Sequence, residues 1–340
     1  MKVKDGSIVK EMRAVWYENS EVRMIDQRRL PYELVVVSFS DHEKVAEAIR
    51  NMTIRGAPSI GAAAAYGMCL AALNKKDVEK AAATIKSARP TANDLFYAAD
   101  HMLTELKNNA DPVKAADDYA QMMVDKCTLI GRYGAEMLKR ISKNGKVIVM
   151  THCNAGALAT VDVGTALAPM RAAHNDGMNL FVYVSETRPR LQGMQLTSWE
   201  LLQEDIQHSI IADGASGHFM RKGVDAVIVG ADRIAANGDF ANKIGTYDKA
   251  VLAKELKIPF YVAAPVSTFD PNTENGKMIE IEDRAEEEVT MIGAVRIAPN
   301  GSRALNPSFD MTPARYVTGF ITERGILDPK DIGKIRNTEE

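Results

Sequence analysis

The sequence predicts an α/β fold in which a parallel-sheet domain follows a helical domain. Four short apolar runs rich in β-branched residues are typical of buried parallel strands. These runs are residues 146–150, 179–184, 225–229 and 258–262. The spacing between successive runs leaves room for one helix, as a β-α-β unit requires. Small or polar residues follow each run, and ligands of open α/β sheets bind at the carboxyl ends of the strands.

The first half of the chain predicts a small β-meander followed by helices. Short apolar stretches alternate with turns at 14–17, 22–25 and 34–39. Beyond them, apolar residues recur at helical spacing, and Asp41 is placed to cap a helix that ends near Met52. The Asn144-Gly145 turn is the predicted boundary between a domain of residues 1–143 and a domain of residues 144–340.

Composition argues against several classes of protein. A formal net charge of −3 over 340 residues gives no reason to expect nucleic acid or an anionic membrane as a partner. No apolar run approaches a membrane span, and the polar start of the chain lacks a secretory signal, so we expect a cytoplasmic location. Three cysteines without a Cys-x-x-Cys or His-Glu-x-x-His motif predict neither a disulfide framework nor a zinc site.

A cysteine follows the first predicted strand. Residues 151–156 read Thr-His-Cys-Asn-Ala-Gly, which places Cys153 at the carboxyl end of that strand. We expect residues 154–156 to open a helix whose backbone N–H groups suit an anion beside the thiol. The competing interpretation is an inert core cysteine, which is the expected state of Cys69 and Cys127 in helical stretches.

Polar residues also follow the second and third strands. The stretch from Arg188 to Gly193 lies after the second, a position that favours a functional role over a surface loop. Asp232 lies after the third, where it is either a general acid or base or a cap of the next turn. Asn242 and Lys243 precede a helix predicted over 247–256, and a lysine at a helix N-terminus suits a phosphate group.

A further motif lies in the helical domain. Residues 55–61 read Arg-Gly-Ala-Pro-Ser-Ile-Gly before an alanine-rich stretch, which predicts a tight loop with a proline near the first turn of a helix. Arg55 offers a bidentate contact to phosphate, although a tight helix–helix contact with an exposed arginine explains the motif equally well. Arg89 lies beside a turn at 90–93. Neither Gly-x-Gly-x-x-Gly nor a Walker loop occurs, so a nucleotide is not expected.

Together these motifs resemble those of the methylthioribose-1-phosphate isomerase family over nearly the whole chain. The matching stretches are 55–61, 89–91, 151–160, 186–201, 230–256, 258–268 and 306–326. The resemblance implies a Rossmann-like C-terminal domain and an aldose–ketose isomerase of methionine salvage, which converts 5-methylthioribose 1-phosphate to 5-methylthioribulose 1-phosphate. It implies a homodimer that needs no metal or nucleotide cofactor.

The resemblance also implies roles for particular residues. It places the catalytic cysteine on Cys153 and the acid/base aspartate on Asp232. The residues that it implies in substrate binding are Arg55, Gly56, Ala57, Arg89, Gln192, Asn242 and Lys243. Hydrogen transfer between C1 and C2 proceeds either through an enolate or as a hydride shift, and the sequence leaves both routes open.

Two other functions are compatible with this sequence. Ribose-1,5-bisphosphate isomerases share the fold and the cysteine–aspartate pair, but they must bind a second phosphate. Regulatory subunits of the eukaryotic translation-initiation guanine-nucleotide exchange factor share the fold and generally lack the catalytic pair. Because Cys153 and Asp232 are both present, the expected partner is a small-molecule sugar phosphate.

Overall fold

The computed structural model describes residues 1–6, 8–89 and 93–337, so most of the turn predicted at 90–93 lies outside the described residues. The chain divides into two compact units, one of Met1–Arg132 with Asn154–Arg171 and one of Tyr133–Cys153 with Ala172–Glu340. The domains predicted at 1–143 and 144–340 stay a prediction. None of the helices in these described ranges is both long and apolar enough to cross a membrane.

The strands and helices follow one another along the chain. The strands are β1 (Lys2–Asp5), β2 (Ile8–Glu11), β3 (Val15–Glu18), β4 (Glu21–Ile25), β5 (Val36–Phe39), β6 (Lys146–Thr151), β7 (Asn179–Ser185), β8 (His208–Ile211), β9 (Ala226–Val229), β10 (Arg233–Ala235), β11 (Phe240–Lys243), β12 (Phe260–Ala263), β13 (Phe269–Asp270), β14 (Met291–Ile292), β15 (Val295–Arg296), β16 (Phe309–Thr312), β17 (Gly319–Thr322) and β18 (Gly325–Leu327). The helices are α1 (His42–Arg50), α2 (Ala57–Leu73), α3 (Val78–Lys86), α4 (Asn93–Lys107), α5 (Pro112–Ile141), α6 (Leu167–Asn175), α7 (Ser198–Gln203), α8 (Ser216–Arg221), α9 (Thr246–Glu255) and α10 (Glu287–Thr290). A π-helical turn, Gly193–Thr197, leads directly into α7.

The predicted β-meander is confirmed in the first unit. Strands β3, β4 and β5 form an antiparallel sheet in chain order. The Asp41 carboxylate accepts the backbone N–H of Glu43 at 2.6 Å and begins α1, as predicted. The hairpin of β1 and β2 was not predicted, because Ile8 and Val9 are exposed in β2 and that strand therefore has no alternation of buried and exposed residues.

Helix α2 forms the centre of the first unit. Its residues from Pro58 to Ala71 are all buried, so alanine and glycine dominate where neighbouring helices approach closely. A helix that is apolar on every side is typical of a protein core. Pro58 lies in the first helical turn, where its missing N–H costs nothing, as the sequence predicted.

The second unit contains the predicted parallel sheet. Its seven strands lie in the order β18-β17-β12-β9-β6-β7-β8, and only β18 runs antiparallel to its neighbour. From the β8 edge this is the doubly wound order of a Rossmann-like sheet, in which the chain reverses direction between β6 and β9. The crevice at the carboxyl ends of β6 and β9 is therefore the topological switch point, where such sheets bind ligands.

Two local predictions were wrong. The residues after Cys153 form only a short 3₁₀ turn, Ala157–Ala159, and the next helix begins at Leu167, because Val161, Val163 and Gly164 have positive φ angles that a helix cannot contain. The expectation that strands and helices alternate from residue 146 to the end of the chain was also wrong, because β10 and β11 follow β9 without a helix between them. Instead, β13, β10, β11 and β16 form a second sheet, in which β10 lies between β13 and β11.

Candidate active site at the carboxyl ends of β6 and β9

Cys153 lies two residues beyond β6 with its backbone held on both sides. Its N–H donates to the Thr187 hydroxyl at 2.9 Å, and its carbonyl accepts the Thr197 hydroxyl at 2.7 Å. The backbone of Cys153 is left-handed, with φ of 61°, and the side chain is partly exposed. The thiol therefore occupies a fixed turn at the edge of the sheet, whereas Cys69 and Cys127 are buried, as predicted.

His152, the residue before Cys153, is fully buried and neutral. Burial lowers its pKa, and the nearby Lys249 ammonium lowers it further. Its Nε2 lies 2.8 Å from the Ile244 carbonyl oxygen. Because a carbonyl oxygen only accepts, Nε2 carries the proton. Its Nδ1 lies 3.4 Å from the Thr187 hydroxyl, so His152 supports the turn by packing and through both ring nitrogens, and it is not placed as an acid or base.

Asp232 follows β9, the other strand at the switch point. Its backbone N–H donates to the Ala241 carbonyl at 2.9 Å, which fixes the start of β10. The side chain is exposed to solvent. Strand pairing of Met150 with Val227 aligns β6 and β9, so Cys153 and Asp232 leave neighbouring strands at the same edge. The sequence predicted this edge correctly for both residues.

Lys243 is the buried cation of this site. Its ammonium donates to the Ser308 carbonyl at 2.6 Å and lies 4.5 Å from the centre of the Phe309 ring. Burial lowers the pKa of Lys243, while negative charge on Cys153 and on Asp232 acts in the opposite direction. The two predicted catalytic groups and Lys243 thus belong to one electrostatic cluster.

The start of α9 differs from the prediction. Asn242 and Lys243 are buried in β11 rather than in a loop, and the Asn242 amide donates to the Thr246 hydroxyl at 2.9 Å. The Asp310 carboxylate accepts the N–H of Gly245 at 2.7 Å and of Tyr247 at 3.1 Å. The sequence predicted that N–H groups at the N-terminus of α9 suit a phosphate. In the structure they donate to a carboxylate of the chain itself.

Asp310 predicts a pH-dependent stability. Burial raises its pKa to about 6, against the opposing effect of the two amides. Its contribution to stability is present below its unfolded pKa and declines as pH rises to about 6, because the unfolded chain releases the proton first. We expect the stability of Asp310→Asn relative to wild type to improve by about 2–3 kcal/mol between pH 4 and pH 7. Urea unfolding of both proteins at the two pH values measures this, and a constant difference would contradict it.

The first unit contains the other predicted phosphate ligands. The Arg55 guanidinium donates to the carbonyl of Asn154 at 3.0 and 3.1 Å and also to its side-chain oxygen. Gly56 precedes α2 with φ of 90°, and a Cβ there would lie 2.4 Å from the Cα of Ala159, so only glycine fits. Ala57 begins α2. Arg89 is partly buried and lies between α3 and α4.

The loop after β7 supplies Gln192. Its side chain is buried, and the amide oxygen has no hydrogen-bond partner within the described part of the chain. Arg188 and Arg190, by contrast, bind protein groups: Arg188 donates to the Val289 carbonyl at 2.6 Å, and Arg190 pairs with Glu288 at 2.6 Å. Of these three side chains, Gln192 alone has a buried polar atom left for a ligand.

Sequence reasoning missed several residues that organise the site. Thr187 and Thr197 hold the Cys153 backbone, and Ser308 receives Lys243. A signal existed for Thr187, which directly follows a predicted strand at the predicted edge. Across residues 1–6, 8–89 and 93–337, no three His, Cys, Asp or Glu side chains are grouped to hold a metal ion.

This sheet order, with a thiol and a carboxylate after the two strands of the switch point, is that of a doubly wound α/β protein whose candidate site lies at the carboxyl ends of its strands. The chain belongs to the Initiation factor 2 subunit family, whose model matches residues 53–329.

Relatives and solved structures share this fold over nearly the whole chain. Methylthioribose-1-phosphate isomerase from Acetivibrio thermocellus is 47% identical, over 94% of this chain and 97% of the relative, and the enzyme of that name from Aquifex aeolicus is 48% identical, over 95% and 70%. The crystal structure of 5-methylthioribose 1-phosphate isomerase from Pyrococcus horikoshii is 45% identical, with a TM-score of 0.88 and 96% of both chains covered. A structure described as translation initiation factor eIF-2B, subunit delta, from A. fulgidus is 40% identical, with a TM-score of 0.84 and 94% and 97% covered.

Proposed function

We propose that this chain is an aldose–ketose isomerase that converts 5-methylthioribose 1-phosphate to 5-methylthioribulose 1-phosphate in methionine salvage. The observation that carries the proposal is the placement of Cys153 and Asp232 after the two strands of the switch point, with both acting on Lys243. Relatives at 47–48% identity over at least 94% of this chain bear the name of this enzyme. Unlike a pure binding module, the chain retains both groups that the chemistry needs.

The reaction requires one proton transfer and one hydrogen transfer. Opening the ring breaks the bond between C1 and the ring oxygen, which gains a proton, while the C2 hydroxyl loses one as it becomes the ketone. Asp232 is exposed at the edge of the sheet and shuttles that proton between the two oxygens. Cys153 acts beside C1 and C2, where hydrogen moves from C2 to C1.

The thiol has two possible roles in this hydrogen transfer. It either carries a proton through an enolate or stabilises the transition state of a direct hydride shift. Turnover in deuterated water separates these routes, since an enolate route incorporates deuterium at C1 and a hydride shift does not.

The residues that we assign to substrate binding are those that the resemblance implies, namely Arg55, Gly56, Ala57, Arg89, Gln192, Asn242 and Lys243. The buried amide oxygen of Gln192, which lacks a partner in the described residues, supports its assignment to a substrate hydroxyl. The burial of Lys243 supports its assignment to a charged group, since water does not screen it there.

Comparison of two substrates tests this function. We expect kcat/KM for ketose formation to be higher with 5-methylthioribose 1-phosphate than with ribose 1,5-bisphosphate by at least about 100-fold. Preference for the bisphosphate would replace the proposal by the alternative that the sequence left open, with a second phosphate site. Turnover of neither compound, together with binding to a translation factor, would favour the regulatory-subunit alternative that the sequence left open.

The proposed enzyme has a small-molecule partner and acts in the cytoplasm as a homodimer, without nucleic acid, metal or nucleotide cofactor. Its ordinary charge balance supports the expectation that nucleic acid is not a partner. Light scattering at micromolar concentration measures the oligomeric state, and a stable monomer would contradict the homodimer.

A further inference from the structure

Asp213 lies at the centre of a buried cluster in the second unit to which the proposed chemistry assigns no role. It follows β8 and accepts three hydrogen bonds from the turn after β7. One carboxylate oxygen receives the Ser185 hydroxyl at 2.7 Å and the Thr187 N–H at 3.0 Å, and the other receives the Arg188 N–H at 2.7 Å. A single carboxylate thus fixes the backbone of residues 185–188.

Hydrogen bonds and a buried lysine together keep this carboxylate ionised. The Lys249 ammonium lies 3.9 Å from Asp213, and its side chain is only 2% exposed. Burial alone would raise the pKa of Asp213, but the hydrogen bonds from Ser185 and Arg188, together with Lys249, outweigh burial and lower it. Asp213 therefore carries a negative charge that the cluster itself compensates.

The residues that Asp213 holds also hold the backbone of Cys153. Thr187 has φ of 67° and Cys153 has φ of 61°, left-handed conformations that β-branched and other non-glycine residues rarely adopt. The Thr187 hydroxyl donates to the Ser185 carbonyl at 3.0 Å, which leaves its lone pairs free for the Cys153 N–H at 2.9 Å. The surrounding contacts hold both residues in these strained conformations.

The π-helical turn Gly193–Thr197 also contacts the residues around Cys153. A Cβ on Gly193 would lie 1.8 Å from the Ser185 carbonyl oxygen, so the turn packs directly on the backbone that Asp213 holds. From this turn Thr197 reaches the carbonyl of Cys153. Every contact to the Cys153 peptide described above therefore depends on the position of residues 185–187.

We propose that Asp213 is a positioning residue that acts through Thr187 to fix the direction of the Cys153 thiol. The inference rests on the proposed function, because positioning matters to turnover only if Cys153 takes part in the reaction. A shift of about 1 Å in a reacting group lowers a rate by about 100-fold. This role gives a reason for the left-handed backbone of Thr187 and Cys153, since a turn without these conformations would direct the thiol elsewhere.

Substitution at Thr187 tests the link. Thr187→Val keeps the shape and the strained backbone but removes the acceptor of the Cys153 N–H. We expect kcat to fall by about 100-fold with KM nearly unchanged, and Thr187→Ser, which keeps the hydroxyl, to restore kcat nearly to the wild-type value. The matched control is Thr318→Val, which removes a hydroxyl that accepts the Phe260 N–H at 3.0 Å at the opposite edge of the sheet.

A second pair of variants keeps the inference testable if Thr187→Val fails to fold. Asp213→Asn removes the charge beside Lys249, whereas Asp225→Asn removes the charge of a carboxylate that accepts the Ile148 N–H at 2.9 Å at the far edge. We expect the rate of Cys153 alkylation by iodoacetamide at fixed pH to rise several-fold in Asp213→Asn, as the turn loosens, and to stay at the wild-type value in Asp225→Asn.

The outcomes separate this inference from the proposed function. Wild-type kcat in Thr187→Val, equal losses in the Val and Ser variants, or unchanged alkylation in Asp213→Asn would overturn the positioning role. Failure of the wild type to isomerise any sugar phosphate would overturn the proposed function instead, and the alkylation comparison would still measure how Asp213 holds Cys153.

Discussion

Replacement of Cys153 by serine is expected to lower kcat by about 10²–10⁴-fold while the fold is retained. Serine keeps the backbone groups that bind Thr187 and Thr197, and it occupies the same volume in the turn. It differs in chemistry, because a hydroxyl is a much weaker acid than a thiol and is less polarisable. Steady-state turnover of 5-methylthioribose 1-phosphate, with a thermal unfolding curve for each protein, measures both halves of this prediction.

Cys69 provides the matched control. This thiol is buried in α2, and burial raises its pKa to about 12, so it stays protonated and unreactive. We expect Cys69→Ala to retain wild-type kcat per folded molecule and iodoacetamide to inactivate wild type and Cys69→Ala equally. If Cys153→Ser kept most of its activity, the thiol would have no part in hydrogen transfer, and the electrostatic cluster around Lys243 would have to act without it.

The sheet of the second unit could be predicted because its strands are buried on both faces. Such strands appear in a sequence as continuous apolar runs, and β6, β7, β9 and β12 all do. Strand β8 has two exposed residues and gives no such run. The parallel direction of the four recognised strands then determined which residues share an edge, so the location of Cys153 and Asp232 followed from the sequence.

The second sheet could not be predicted in the same way. Strand β11 contains Asn242 and Lys243, which are polar residues that ordinarily indicate a loop. Both are buried because Thr246 and Ser308 satisfy their side chains, and Ser308 is distant in the sequence. Asp213 and Lys249 were missed for the same reason, since a buried charge becomes recognisable only when its partners are known.

Local patterns alone did not show which polar groups near the site already have partners within the chain. Local patterns predicted a phosphate site at the N-terminus of α9, but the N–H groups there donate to the Asp310 carboxylate. They also favoured a functional stretch at 188–193, of which Arg188 and Arg190 bind the chain itself. A sequence pattern shows that a polar group is near an edge, whereas only the folded chain shows whether that group already has a partner.

Replacement of Asp232 by asparagine is expected to lower kcat by about 10²–10⁴-fold and to change KM by less than about threefold. Asparagine keeps the shape of the side chain but replaces one acceptor oxygen by a donor NH2 group, and the backbone N–H of residue 232 still donates to Ala241. An amide cannot carry a proton between the C2 hydroxyl and the ring oxygen, so the loss falls on the chemical step. Asp248→Asn, which removes one exposed carboxylate elsewhere in the same unit, is expected to keep wild-type kcat.

The double variant of Cys153 and Asp232 determines whether the two groups serve one reaction. Groups that act in the same chemical step are strongly non-additive, so Cys153→Ser with Asp232→Asn is expected to cost about as much as the worse single variant. Both residues act on Lys243, which already places them in one electrostatic cluster. Full additivity would mean that they act independently, and substantial activity in Asp232→Asn alone would transfer the proton shuttle to another group at the same edge of the sheet.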